Sequence, residues 1–420
     1  MASPYPITIS VLVDLGSSPT FPVSGTPFTL DSATYGKLDF GYLGSGTSKI
    51  VDVSSQVLQI KIGGGYNLFQ DQFEPNQGSV RIYDPNGWWN PQNTASPYYG
   101  FLQVNKKIRI AGIYNGTTYN QFSGYIYAYN YSFPTPMSFG YVDLMVCDVF
   151  RLFNLVNITT VTGSTAGQTT GQRINTILDN LGYPTALRSI ETGQVTCQAD
   201  PGTARTALLA LKNVEATEMG ALYADADGNV VFKSRASVIK TGGSAPITYF
   251  SNDGSAITYS GVTFAHDDKL IVNQATMTIV GGTPQTYSDS ASVAQYFPHS
   301  VNLTNLVAAS NAAALDVARV YVQTRKDTTI RIDSLSQDLT TPNYSAGILA
   351  ALTMDYFSTV NIKNVQSNGS TITKTLQIMG SNYTITPNSY DITFTTSESI
   401  VDGFVLDSVT QGILSTSILN

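Results

Sequence analysis

Residues 72–124 hold two stretches of alternating apolar and polar side chains on either side of a long aromatic loop. Val80 and Ile82 alternate with Arg81, the pattern of a half-buried strand. Asp84-Pro85, Asn86-Gly87 and Asn90-Pro91 follow as turn dipeptides. After Ser96-Pro97-Tyr98-Tyr99-Gly100 the alternation resumes at Lys107-Ile108-Arg109-Ile110, and Asn115-Gly116 is a two-residue hairpin turn. Such a stretch commits its surroundings to β structure. A long loop inside a β domain is usually functional or a contact surface.

The flanking sequence extends this reading. Strands are expected at residues 7–15, 38–40, 49–53 and 57–62, with Gly63-Gly64-Gly65 as a flexible turn that ends the last of them. That glycine run lacks the Gly-Lys-Ser/Thr ending of a phosphate loop. Residues 117–131 form a long strand that sets Tyr125, Tyr127, Tyr129 and Tyr131 on one face at period two. Tyr141–Cys147 pairs with it, and Phe150–Leu155 makes a helical turn.

The period then changes. After a Thr/Gly/Ser-rich linker, Ile174, Ile177, Leu178 and Leu181 recur at helical spacing, ended by Gly182 and Pro184. Asp200-Pro201 reads as an N-cap with Pro in the first turn, so Ala204, Ala207, Leu208, Leu211 and Val214 mark the buried face of a second helix. A hairpin follows around Asp225-Ala226-Asp227-Gly228-Asn229. This turn has half the look of a calcium loop but lacks the distal Glu. After Gly242-Gly243-Ser244, alternation returns at Ile271, Ala275, Met277 and Ile279. Residues 288–296 and 311–325 are expected to be helical, the latter capped by Ser310. Strands over 329–335, 358–363, 372–379 and 390–395 complete the β structure.

At 420 residues, with 42% hydrophobic side chains, the chain is long enough for about three domains. Only 12% of residues are charged, half the globular norm, and the net charge is −7. Such weakly charged surfaces suit packing against other chains better than life as a free monomer. Lys106-Lys107 and Arg325-Lys326 are too few to make a nucleic-acid face. Cys147 and Cys197, with no CxxC and no nearby His, read as buried thiols. The opening residues lack the features of a signal peptide, and no apolar run approaches a membrane span. His266, beside Asp267-Asp268, and His299 lie in unlike contexts and make a poor metal set. No Gly-x-Ser-x-Gly, His-Glu-x-x-His or Walker sequence is present. The expectation is no catalytic residues, no metal and no cofactor.

The order of motifs resembles the minor tail or baseplate-hub proteins of tailed bacteriophages. The matching residues are Arg81-Ile82-Tyr83-Asp84-Pro85-Asn86-Gly87, Asn93 to Tyr99, Val104 to Ile110 and Phe122-Ser123-Gly124-Tyr125. Later come Ile174-Asn175-Thr176-Ile177-Leu178-Asp179, Glu218-Met219-Gly220-Ala221-Leu222-Tyr223, Ile271 to Thr278 and Gly380 to Pro387. Trp88-Trp89 departs from the family, which has a charged or small residue there. The resemblance implies a mainly β chain with an α/β insertion, two β-barrel-like tube domains flanking a small α/β module. The expected divisions are 1–152, 153–240, 241–400 and a docking tail at 401–420. It implies a structural, non-enzymatic virion protein assembled in the host cytoplasm. This would be a homotrimeric hub whose six β domains match a tail tube and join it to a distal spike or fibre. Its partners would be further copies of itself, tail tube or distal tail protein, tape-measure protein, and spike or fibre. The alternative is a receptor-recognition protein that binds glycan through Trp88, Trp89 and the tyrosine-rich strand.

Overall fold

The computed structural model describes residues 6–16, 50–67, 72–132, 140–242, 246–328, 330–340 and 345–398. The strand expected at 38–40 and the tail at 401–420 lie outside them. Among the described residues strand outweighs helix, 45% to 20%, so the mainly β reading holds.

The first β half contains β1 (Thr8–Asp14), β2 (Ile50–Asp52), β3 (Val57–Asn67), β4 (Gln72–Tyr83), β5 (Lys106–Tyr114), β6 (Thr117–Ser132) and β7 (Tyr141–Cys147). They pair antiparallel in the order β3-β4-β7-β6-β5-β1-β2. Alternation drives this arrangement. Val80 and Ile82, Ile108 and Ile110, and Val142, Leu144 and Val146 all point inward and are buried. Asn115 and Gly116 both have positive φ, as the β5–β6 hairpin requires.

The middle of the chain is α/β. It comprises α1 (Phe150–Leu155), β8 (Asn157–Ile158), α2 (Thr170–Asn180), β9 (Arg188–Ile190), β10 (Arg205–Thr206), α3 (Ala207–Glu218), β11 (Ala221–Ala224), β12 (Val230–Lys233) and α4 (Arg235–Gly242). Helix α2 starts with a capping box between Thr169 and Gln172. Helix α3 does not start at Asp200-Pro201 as expected. Asp200 instead binds Arg205 and accepts from Gly202 N, and Thr206 is the cap, accepting from Leu209 N. Ala204 therefore lies outside the helix and is exposed, while Ala207, Leu211 and Val214 are buried.

The second β half uses β13 (Thr248–Ser251), β14 (Gly261–Ala265), β18 (Arg331–Asp338), β19 (Thr359–Val365), β20 (Thr371–Thr386) and β21 (Ser389–Ser397). Between β14 and β18 the chain inserts β15 (Gln274–Ile279), β16 (Gln285–Ser288), α5 (Ser290–Tyr296), β17 (Ser300–Leu306) and α6 (Asn311–Gln323). That insertion forms its own three-stranded sheet under α6, capped by Ser310, and packs on Ala216 and Met219 at the end of α3. Helix α7 (Ser345–Thr353) lies between β18 and β19.

The two β halves repeat one strand order. In the first it is β3-β4-β7-β6-β5-β1, and in the second β14-β18-β21-β20-β19-β13. The 16-residue strands β6 and β20 correspond, and each carries a register shift near its middle. One difference is that β13 runs parallel to β19 while β1 runs antiparallel to β5.

The halves meet where β20 extends past β19 and pairs with β3, from Gly380 opposite Gly65 to Ile385 opposite Ile60. This makes one 13-stranded sheet. It also corrects the expected turn: Gly63, Gly64 and Gly65 lie inside β3. Gly65 has φ 131°, and a Cβ there would fall 2.3 Å from Gly380 Cα. The glycines let two backbones approach across the seam. One core spans both halves, with Ile60, Val80 and Leu144 in the same cluster as Leu335, Ile362 and Phe394.

Candidate interaction surface

The loop at 84–105 folds on itself through the residues that carry the sequence motif. The buried Asp84 carboxylate accepts from Trp88 N at 2.8 Å and Trp89 N at 3.0 Å. Asn93 Nδ2 donates to Gly87 O at 3.0 Å, and its Oδ1 accepts from Ala95 N at 3.1 Å. Ser96 Oγ donates to Trp88 O and accepts from Tyr98 N. Short polar side chains bonding to nearby backbone in this way replace a strand ladder with a fixed turn.

Those bonds send the two tryptophans in opposite directions. Trp89 is 1% exposed, packed against Tyr98 at 5.1 Å and stacked on Tyr129 at 6.3 Å between ring centroids. It is a core residue. Trp88 is 38% exposed, and Tyr99, Phe101 and Val104 stand out from the same loop. Tyr83 and Tyr131, at the ends of the strands flanking β7, are exposed too. Beside them Arg81 forms a two-bond pair with Asp143, at 2.7 and 2.9 Å, and lies over the Tyr141 ring.

The expected four-tyrosine face does not form. The register of β6 shifts between Ile126 and Ala128, which breaks the period-two alignment. Tyr125 and Tyr127 pack with the α/β module, the latter under Arg151 at 4.2 Å. Tyr129 joins the Trp89 cluster and donates to Gln103 O. Only Tyr131 of the four is strongly exposed. Neither the bulge nor the split of Trp88 from Trp89 has a clear sequence signal beyond Asp84 and Asn93, which fix the loop.

A polar cavity of about 310 Å³ lies where the first β half, the β11–β12 hairpin and the segment after α7 meet. Asn76 touches all three: it donates from Nδ2 to Ala224 O at 3.3 Å, accepts from Tyr356 Oη at 2.9 Å, and sits on β4. The fully buried Asp148 accepts from Asn76 N at 2.7 Å and Phe150 N at 3.0 Å, and burial pushes its pKa up to about 7. The buried Lys212 donates to Glu215 at 2.7 Å and to Phe73 O at 2.8 Å, tying α3 to β4.

The other chemistry-bearing residues are dispersed. His266 contacts Thr328 Oγ1 and His299 contacts Tyr296 O. Asp225 accepts from Asn229 N at 2.7 Å and so shapes its own hairpin turn. Cys147 and Cys197 are buried free thiols. Among the described residues no three His, Cys, Asp or Glu side chains could hold a metal ion. No helix among them is long and apolar enough to cross a membrane.

No family model matches the sequence, and no curated protein matches it. Solved structures do match in shape. The tail protein from Neisseria meningitidis MC58 aligns with a TM-score of 0.56 at 10% identity, over 94% of this chain and 98% of that one. The prophage MuSo2 43 kDa tail protein from Shewanella oneidensis aligns with a TM-score of 0.54 at 11% identity, over 94% of this chain and 99% of that one. The fold is shared with these two proteins over most of the chain, and the resemblance read from the motifs is matched at the level of the fold.

Proposed function

We propose that this chain is a structural hub protein of a bacteriophage tail tip or baseplate, a virion component without catalytic activity that is assembled in the host cytoplasm. The observation that carries this reading is the repeated strand order of the two β halves. Three copies in a closed ring would set six similar β units around one axis, which adapts a threefold spike or fibre to a sixfold tube. The shared fold with two tail proteins supports the same assignment. The proposed partners are two further copies of this chain, a tail tube or distal tail protein, the tape-measure protein, and a spike or fibre. The division at 152, 240 and 400, with residues 401–420 as a docking tail, belongs to this proposal. The weakly charged surface suits lasting interfaces, which are broad and relatively apolar.

The test is the mass and shape of the purified chain, by light scattering and electron microscopy, alone and with tube protein. Three-membered rings that cap tubes are expected. A stable monomer that binds no tube component would overturn the proposal. Exposure of Trp88 and Tyr99 favours the second reading, glycan recognition, although Trp89 cannot contribute to it. Binding of host surface polysaccharide by the intact chain, lost in Trp88→Ala, would establish that reading instead.

A further inference from the structure

A second cavity, of about 220 Å³, lies between α2, α3 and the end of the β15–β17 unit. Its walls mix apolar side chains, Ile177, Val214, Val280 and Val307 among them, with polar ones that include Arg173, Arg205 and Asp200. Arg173 is only 1% exposed. Its Nε donates to Gln168 Oε1 at 2.8 Å, and Nη2 donates to Thr165 O at 2.9 Å and Gln198 O at 2.6 Å. Among the described residues its Nη1 has no hydrogen-bond partner and no carboxylate lies against it. The nearest acid, Asp200, is already paired with Arg205, whose Nη1 is bonded to Thr203 O.

The charges here do not balance. Two guanidiniums face one carboxylate. Cys197, the other ionisable group near Arg173, holds its proton because burial pushes its thiol up to about 11. Burial also lowers the Arg173 pKa, as the cost of an uncompensated buried cation requires. A buried cation with unbonded donors is stabilised by an anion, and a guanidinium matches a carboxylate in shape.

We propose that this cavity is a binding site for a small aliphatic carboxylate, whose anionic end takes the unbonded Nη1 of Arg173 and whose short apolar chain lies among Ile177, Val214 and Val280. The site is independent of the assembly role proposed above. An occupant would bridge the α/β module and the β15–β17 unit.

The test is saturation-transfer NMR on the intact chain with butyrate, butyramide and inorganic phosphate as probes. Butyrate is expected to bind, its neutral amide not to bind, and phosphate to bind more weakly for want of an apolar chain. Arg173→Met should abolish butyrate binding. That variant also loses three internal bonds, so Asp200→Asn gives the second arm. Removing the one carboxylate among the described residues that line the cavity should tighten butyrate binding at least about threefold, by taking away a like charge. No butyrate binding to the unaltered chain, equal binding of the amide, tighter binding of phosphate, or unchanged affinity in Asp200→Asn would each overturn the proposal.

Discussion

The two β halves share a strand order but differ in what crosses between equivalent strands. In the first half, β4 and β5 are joined by the aromatic loop at 84–105. In the second, β18 and β19 are joined by a segment containing α7. Helix α7 turns inward: Ile348, Ala351 and Leu352 lie in the shared core, and Leu352 O accepts from Gln121 on β6 of the other half. The loop buries Trp89 and Leu102 but leaves Trp88, Tyr99 and Phe101 facing water. One scaffold thus uses the same connection for two ends. In one half it fastens the halves together. In the other it builds an outward aromatic surface of the kind found at interface hot spots.

That contrast can be broken most severely at the seam. Gly65→Val puts a branched side chain where backbone already stands and demands a left-handed φ from a β-branched residue. A loss of about 4 kcal/mol or more is expected, enough to unfold a marginal chain, and denaturant melts of the purified variant would measure it. Trp89→Ala should cost about 3–5 kcal/mol by leaving a large cavity in the core. If it leaves the denaturation midpoint unchanged, Trp89 is not the anchor of the loop.

The junction cavity sharpens the comparison through pH. Asp148 titrates near 3.8 when unfolded and at about 7 when folded, so the folded state holds a proton the unfolded state has released. Stability contributed here is therefore fully present only below the unfolded pKa of 3.8 and is lost as pH rises towards 7, by up to about 4 kcal/mol. Asp148→Asn should flatten that slope in melts run from pH 4.5 to 8. An unchanged slope would show that the carboxylate is not neutral in the fold. The smallest expected effect on stability is at Trp88. Trp88→Ala should change the unfolding free energy by less than about 0.5 kcal/mol, as surface substitutions usually do. It should nonetheless weaken assembly measured by light scattering, if the outward loop is a contact.

Much of this fold was legible because alternation is a direct record of a strand with one buried face. β4, β5, β7 and β21 were visible for that reason. The helix at 311–325 was visible because Ser310 and its apolar spacing agree. Other features were hidden by competing physics. Gly63 to Gly65 reads as a break, since glycine weakens strands, and only the unseen approach of Gly380 makes it a strand. Asp200-Pro201 has the chemistry of a helix start, but Arg205 takes the carboxylate. Helix α7 has almost no polar face, so its period was invisible. On the candidate surface, Asp84, Asn93 and Ser96 were present in the motif. Their effect, to bury one tryptophan and expose its neighbour, depends on which backbone groups they reach.

The pairing of β3 with β20 has a mechanical consequence. Force arriving at one β half passes to the other through a ladder of peptide hydrogen bonds. A linker would let the halves pivot, whereas this splice makes them one stiff girder. Any reshaping that accompanies work by this protein must then occur between whole chains or in the connections that project from the girder.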